Sequence, residues 1–129
     1  MTFKYTFKVR GYELDSFGHV NHAVYLNYME QARWEIVREL GLYEMFKKSG
    51  GFLVVIEINS KFIREMKLFE TGTIETQLIR EGFFLTFKHL VKNEKNEKVN
   101  KATIKCLFVD KLRNPLDIPE VVSEYLCEK

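Results

Sequence analysis

A carboxylate, two imidazoles and an asparagine, Asp15, His19, His22 and Asn21, stand just before an apolar rhythm of Tyr25, Met29, Ala32, Ile36 and Leu40. That rhythm has helical spacing, so the acid lies beside a helix start. The first amides of a helix have no intrahelical partner and carry the positive end of its dipole, which lets them hold a carbonyl oxygen as it gains charge. Next to such a terminus Asp15 has the chemistry of a nucleophile, or of a base that activates water. A carboxylate is a weak base, so this works only where the electrophile is activated or burial raises the carboxyl pKa.

Each of these residues also has a structural use. Asp15 can close a turn on neighbouring N–H groups. For His19 and Asn21 the residue types favour structure: a histidine donating to a backbone carbonyl and an asparagine capping the helix. His22 is open between a solvated helix-start residue and a group that orients water or assists a leaving group. Asp15, His19 and His22 do not by themselves supply the supported three-ligand set of a catalytic zinc, so no metal is expected. His89, between Phe87 and Val91, reads as a core residue. Tyr25, Tyr28, Met29 and Trp34 line a tunnel, fill a core, or do both. Phe17, a large apolar residue on the loop, is a candidate pocket wall. Lys61, Arg64, Arg80 and Lys88 are cations suited to phosphate, and a solvated strand face is the alternative for each.

The elements that must position these groups follow from periodicity. Residues 3–10 alternate as a strand with Phe3, Tyr5, Phe7 and Val9 on one face. A helix is predicted over 23–40, ended by Gly41, and a second over 42–48. Phe52, Val54, Ile56, Ile58 and Phe62 are expected to share one face of a long strand. Ile74, Thr76 and Leu78 mark the next, and a tight turn at Glu81-Gly82 leads into Phe83, Leu85, Phe87 and Val91. The polar run 93–98 connects to a last strand with Ala102, Ile104, Cys106 and Phe108 inward and Lys101, Thr103 and Lys105 outward. The sheet is antiparallel with one solvated face, and a short helix is expected over 119–127 behind Pro119.

The chain of 129 residues, 46% of them apolar, suits one domain covering 1–129, with no linker or repeat. A net charge of +2 from scattered basic residues excludes the footprint of a nucleic-acid binder. Cys106 and Cys127 are too few for a disulfide framework or zinc knuckle, which favours a reducing interior. No signal-like apolar core opens the chain and no segment is long enough to span a bilayer, so a cytoplasmic location is expected.

The run Asp15-Ser16-Phe17-Gly18-His19-Val20-Asn21, followed by Tyr25, resembles the Asp-x-x-Gly-His-Val-Asn signature and early-helix tyrosine of hotdog-fold acyl-CoA thioesterases of the 4-hydroxybenzoyl-CoA thioesterase type. The likeness extends over residues 3–110. It implies an α+β hotdog fold, an antiparallel sheet of about five strands wrapped around one long central helix. It also implies hydrolysis of acyl-CoA or acyl carrier protein thioesters to acid and thiol, without a cofactor. Asp15 would then be nucleophile or general base, the backbone N–H at His22 would meet the thioester carbonyl, and Gly18, His19 and Asn21 would support the loop. Some members use a histidine side chain at the position of His22 and many carry asparagine there, so the imidazole's role stays open. Substrate-binding roles fall to Phe17, Tyr25, Lys61 and Arg64. The chain departs from the pattern at Glu65, where proline is frequent, and at Gly11, where an aromatic residue is common; neither change removes a reacting group.

Hotdog proteins usually pair sheets edge to edge and build each site from both subunits, so a homodimer or homotetramer is expected. Two alternatives share the fold. One is a non-catalytic acyl-CoA-binding regulator, and the other is an enoyl-thioester hydratase or dehydratase, whose Asn-Pro pair is missing from this loop.

Overall fold

Alternating segments become five strands, β1 (Phe3–Lys8), β2 (Phe52–Phe62), β3 (Thr71–Glu81), β4 (Phe84–Lys92) and β5 (Lys98–Val109), and the helical rhythm becomes α1 (His22–Glu39) and α2 (Leu42–Ser49). These come from a computed structural model that describes residues 1–127. The last two residues of the expected 1–129 domain lie outside the described residues. The strands form one antiparallel sheet in the order β1-β3-β4-β5-β2. Its inner face carries Ile74, Leu78, Phe87, Val91, Ile104 and Phe108, which bury against Met29, Ala32 and Ile36 of α1. This is the expected hotdog arrangement of a sheet curved around one helix.

Two glycines make it possible. Gly41, at φ +75°, adopts the left-handed conformation that ends α1 and lets α2 start at once. Gly72 lies under the Phe7 ring, where a Cβ would fall 2.3 Å from Phe7 Cζ, so β1 and β3 can pair closely only without a side chain there.

Three sequence expectations need correction. The β3–β4 turn is Gly82–Phe83, not Glu81–Gly82: Glu81 pairs with Phe84, and Gly82, at φ +65°, takes the first central position that favours glycine. Phe83 therefore sits in the turn, 60% exposed, while Leu85, Phe87 and Val91 keep their inward face. On β2 a bulge between Val55 and Glu57 places an extra residue, Ile56, against the regular β5 ladder. Leu53 and Val55 before it, and Ile58 and Phe62 after it, oppose inward residues of β5, whereas Phe52 and Val54 oppose outward positions. The five residues expected to share a face are thus split between both. β1 stops at Lys8 rather than at residue 10; the short helix expected behind Pro119 is present as a 3-10 helix, Glu120–Tyr125.

α1 packs on the β1–β3 side of the sheet. The inner face of β2, an edge strand, is consequently open, and Val55, Ile58 and Phe62 are exposed along it.

Candidate functional site

The loop before α1 is built around the Asp15 carboxylate. The Asp15 amide donates to the His19 carbonyl at 2.7 Å, and the Gly18 amide returns to the Asp15 carbonyl at 3.1 Å. Gly18 sits at φ +79°, which a side chain would strain. Within this turn Asp15 Oδ1 accepts from the amides of Phe17 at 2.9 Å and His19 at 3.2 Å. Those two donors, His19 first, hold the Asp15 carboxyl below its usual pKa. The structural use of Asp15 is therefore realised, yet Oδ2 has no hydrogen-bond partner among the described residues. A lowered pKa makes the group a poorer base, so a reaction at Asp15 depends on an activated electrophile.

α1 begins beside this carboxylate. Asn21 caps it as expected, its Oδ1 accepting from the Ala23 amide at 2.9 Å and its carbonyl from the Val24 amide at 2.9 Å. The amide of His22, between them, makes no hydrogen bond among the described residues. The His22 imidazole is exposed and meets the Phe62 ring edge-on at 6.5 Å.

His19 is structural in a different way from the one expected: its Nε2 lies 3.1 Å from Glu65 Oε2, so a side-chain carboxylate takes the place of a backbone carbonyl. Tyr25 is buried against Tyr28 and Phe62, and burial raises its hydroxyl pKa to about 12. It belongs to the core beneath the site. Phe17 does not line a pocket of the single chain: the turn that brings its amide to Asp15 leaves its ring 83% exposed.

The four cations do not converge. Arg64 lies 3.5 Å from Glu97, and Arg80 bonds Asp117 at 2.6 Å. Lys61 and Lys88 come together on the outer face of the sheet, in a shallow groove of about 510 Å³ that also takes Lys98 and Lys101. Arg64 and Arg80 therefore share their charge with acids, whereas Lys61 has no ion-pair partner among the described residues. Trp34 is half-exposed, while Met29, Tyr28 and His89 are buried in the core. Among the described residues no group of three or more His, Cys, Asp or Glu stands close enough to hold a metal, and no helix is long and apolar enough to cross a membrane. Cys106 and Cys127 are both free thiols.

Sequence reasoning missed Glu13, a carboxylate only 5% exposed. It accepts from Tyr28 Oη at 2.7 Å and from the Arg10 amide at 2.8 Å, with the Arg10 guanidinium 3.1 Å away. The Glu13 carbonyl in turn accepts from the Asn21 amide at 2.9 Å. Glu13 thus ties the reactive loop to both ends of its surroundings. The only signal in the sequence was an acid two positions before Asp15, which a solvated loop would show equally well.

The chain is 30% identical over 123 residues to the chloroplastic acyl-acyl carrier protein thioesterase ATL2 of Arabidopsis thaliana, covering 92% of this chain and 64% of that one. It is 38% identical over 71 residues to the long-chain acyl-CoA thioesterase FadM of Escherichia coli, covering 55% and 54%. The chain spans less than two thirds of the length of both relatives. Among solved structures, a hypothetical protein from Aquifex aeolicus superposes with a TM-score of 0.86 at 28% identity, covering 97% of this chain and 99% of that one. The Thioesterase-like superfamily matches residues 9–126, nearly the whole described chain, and the protein belongs to that family.

Proposed function

We propose that the protein hydrolyses acyl thioesters of coenzyme A or acyl carrier protein to free acid and thiol. The observation that carries this reading is the open His22 amide at the start of α1, in the same junction as a carboxylate with one free oxygen. The thioester carbonyl accepts from the His22 N–H, whose dipole end favours the developing oxyanion. Asp15 Oδ2 attacks the carbonyl carbon, the C–S bond breaks, and the thiolate leaves with a proton taken from solvent. Water then opens the resulting acyl anhydride, returning the carboxylate. In the other version Asp15 takes a proton from the attacking water. Its lowered pKa favours direct attack, because ionisation is secured while basicity is reduced.

Asp15→Asn keeps the Oδ1 acceptor and removes the charge. Turnover over a panel of acyl-CoA and acyl carrier protein thioesters should fall by about a hundredfold or more while circular dichroism is unchanged. Hydrolysis near the wild-type rate would sink the assignment.

The relatives' names support both carriers, and the 4-hydroxybenzoyl-CoA subtype is kept as part of the proposal through the Asp15–Asn21 signature. The open β2 edge, with Val55, Ile58 and Phe62 exposed, supports pairing of two copies along it in a homodimer or a homotetramer built from such dimers. Pairing would also give Phe17 an apolar surrounding, and Lys61 is the cation kept for the carrier's phosphates. A cytoplasmic location goes with the two free thiols. Sedimentation at working concentration should show a dimer or larger; a monomer alone would refute the assembly.

A further inference from the structure

α1, α2 and the inner side of β2 enclose a mainly apolar crevice of about 230 Å³, lined by Trp34, Val37, Phe46, Leu53, Val55 and Cys106 and entered by the Arg33 side chain. A guanidinium is out of place there unless something answers its charge. Arg33 Nη1 lies 3.3 Å from His89 Nε2, and His89 Nδ1 lies 2.8 Å from Thr76 Oγ1. Arginine only donates, so Nε2 accepts and the proton sits on Nδ1, facing the threonine hydroxyl. The partner of the cation is therefore a neutral ring. No carboxylate among the described residues forms an ion pair with Arg33; exposed Glu30, which also lines the crevice, acts on its charge only at longer range. Of the five N–H donors of a guanidinium, one is used, and none of the rest is a buried orphan among the described residues, so they remain accessible to a ligand.

His89, the partner of Arg33, lies one cross-strand row away from Phe62. Phe62, which meets the His22 ring, and Ser60 are successive inward residues of β2, and Ser60 shares a cross-strand row with Ala102 and His89. One such step along a strand is about 6.7 Å and the two strand spacings from β2 to β4 add about 9.6 Å across it, so Phe62 and His89 stand roughly 12 Å apart, about nine C–C bonds of an extended chain. An acyl group whose thioester sits at His22 can thus bring its far end to the Arg33 donors.

Resting on the thioesterase reading, we propose that Arg33 is a specificity residue that receives a second carboxylate at the far end of the acyl group, so that the preferred substrates are half-thioesters of straight-chain dicarboxylic acids. A carboxylate supplies a directly bonded counter-charge and takes two N–H donors at once, which a terminal methyl cannot do. His89 and Thr76 keep the guanidinium in place from behind.

The test pairs CoA thioesters of equal length, about eight to eleven carbons, one ending in carboxylate and the other in methyl. Wild-type protein should favour the carboxylate member by about ten- to a hundredfold in kcat/KM. Arg33→Met should erase or invert that ratio while turnover of the methyl member is kept, and Arg33→Lys should restore part of it. A wild-type preference for the methyl member, or a ratio that Arg33→Met leaves unchanged, overturns the proposal; the wild-type comparison stands even if the variant does not fold. Failure to hydrolyse either member, by contrast, would strike at the thioesterase reading itself.

Discussion

The Asp15 junction and the Arg33 crevice each hold one charged side chain, but they stabilise it by different means. Around Asp15 the donors are amides two and four residues away, Phe17 and His19, inside a single turn. Around Arg33 the acceptor is a histidine 56 positions along the chain, on a central strand that only the finished sheet brings under α1. The first arrangement is local and holds its charge securely, as the lowered Asp15 pKa shows. The second leaves its charge only half answered, because a neutral ring cannot replace an anion. The proposed reaction chemistry thus lies in a segment that builds itself, and the proposed selectivity in a space that the fold must assemble.

The largest expected effect is the loss of turnover in Asp15→Asn, which should leave the crevice and its selectivity for bound ligands intact. The same carboxylate sharpens the comparison through pH. Its pKa lies below the ordinary 3.8, so Asp15 stays ionised throughout the neutral and mildly acidic range. The acid limb of kcat/KM should therefore fall below the usual aspartate pKa for as long as the fold survives. An acid limb well above it would show that another group controls the reaction.

On the crevice side the titrating group is His89. Burial, with the Arg33 charge second, lowers its pKa from 6.5 to about 3. Above 6.5 both folded and unfolded chains hold the ring neutral. Below it the unfolded chain binds a proton that the folded chain refuses, so stability drains as pH falls from 6.5 toward 3, by at most about 1.4 kcal/mol per pH unit for one group. Urea midpoints measured at several pH values in this window should show the decline, and His89→Gln should flatten it. An equal slope in both proteins would mean that other groups set the acid sensitivity.

What the sequence revealed follows the same division. Gly18, the Asn21 cap and Gly41 were legible because each answers a need of its own turn or helix end, and the inward faces of β3, β4 and β5 were legible because period-two burial is regular there. β2 was not: Phe52 through Ile56 is an unbroken apolar run with no internal phase, so the bulge at Ile56 left no mark in it. Phe83 was misplaced because its apolarity fitted the following strand, while the geometry of Gly82 had already assigned it to the turn. Asp15 and His22 could be named from the sequence, whereas the openness of the His22 amide depended on how Asn21 divided its two acceptors between Ala23 and Val24. Arg33 and His89 carried no joint signal, since their meeting depends on the β1-β3-β4-β5-β2 order.

Glu13 and Tyr28 are where the two regimes meet, because a loop carboxylate is fixed by a hydroxyl on the buried face of α1. Removing that hydroxyl in Tyr28→Phe keeps the ring, including its stacking on Phe7 at 4.0 Å, and takes away one donor to a buried carboxylate. A hydrogen bond to a charged group contributes about 1.5–3 kcal/mol, and Arg10 still answers part of the Glu13 charge, so a loss near the lower end is expected in chemical denaturation. If Glu13 positions the loop, kcat should fall in Tyr28→Phe while KM stays close to wild type, since the Asn21 amide hangs from the Glu13 carbonyl and the His22 amide follows it. A stability loss with unchanged kcat would mean that the Asp15 turn and its cap hold their geometry without the helix behind them, and the reactive junction would then be local through and through.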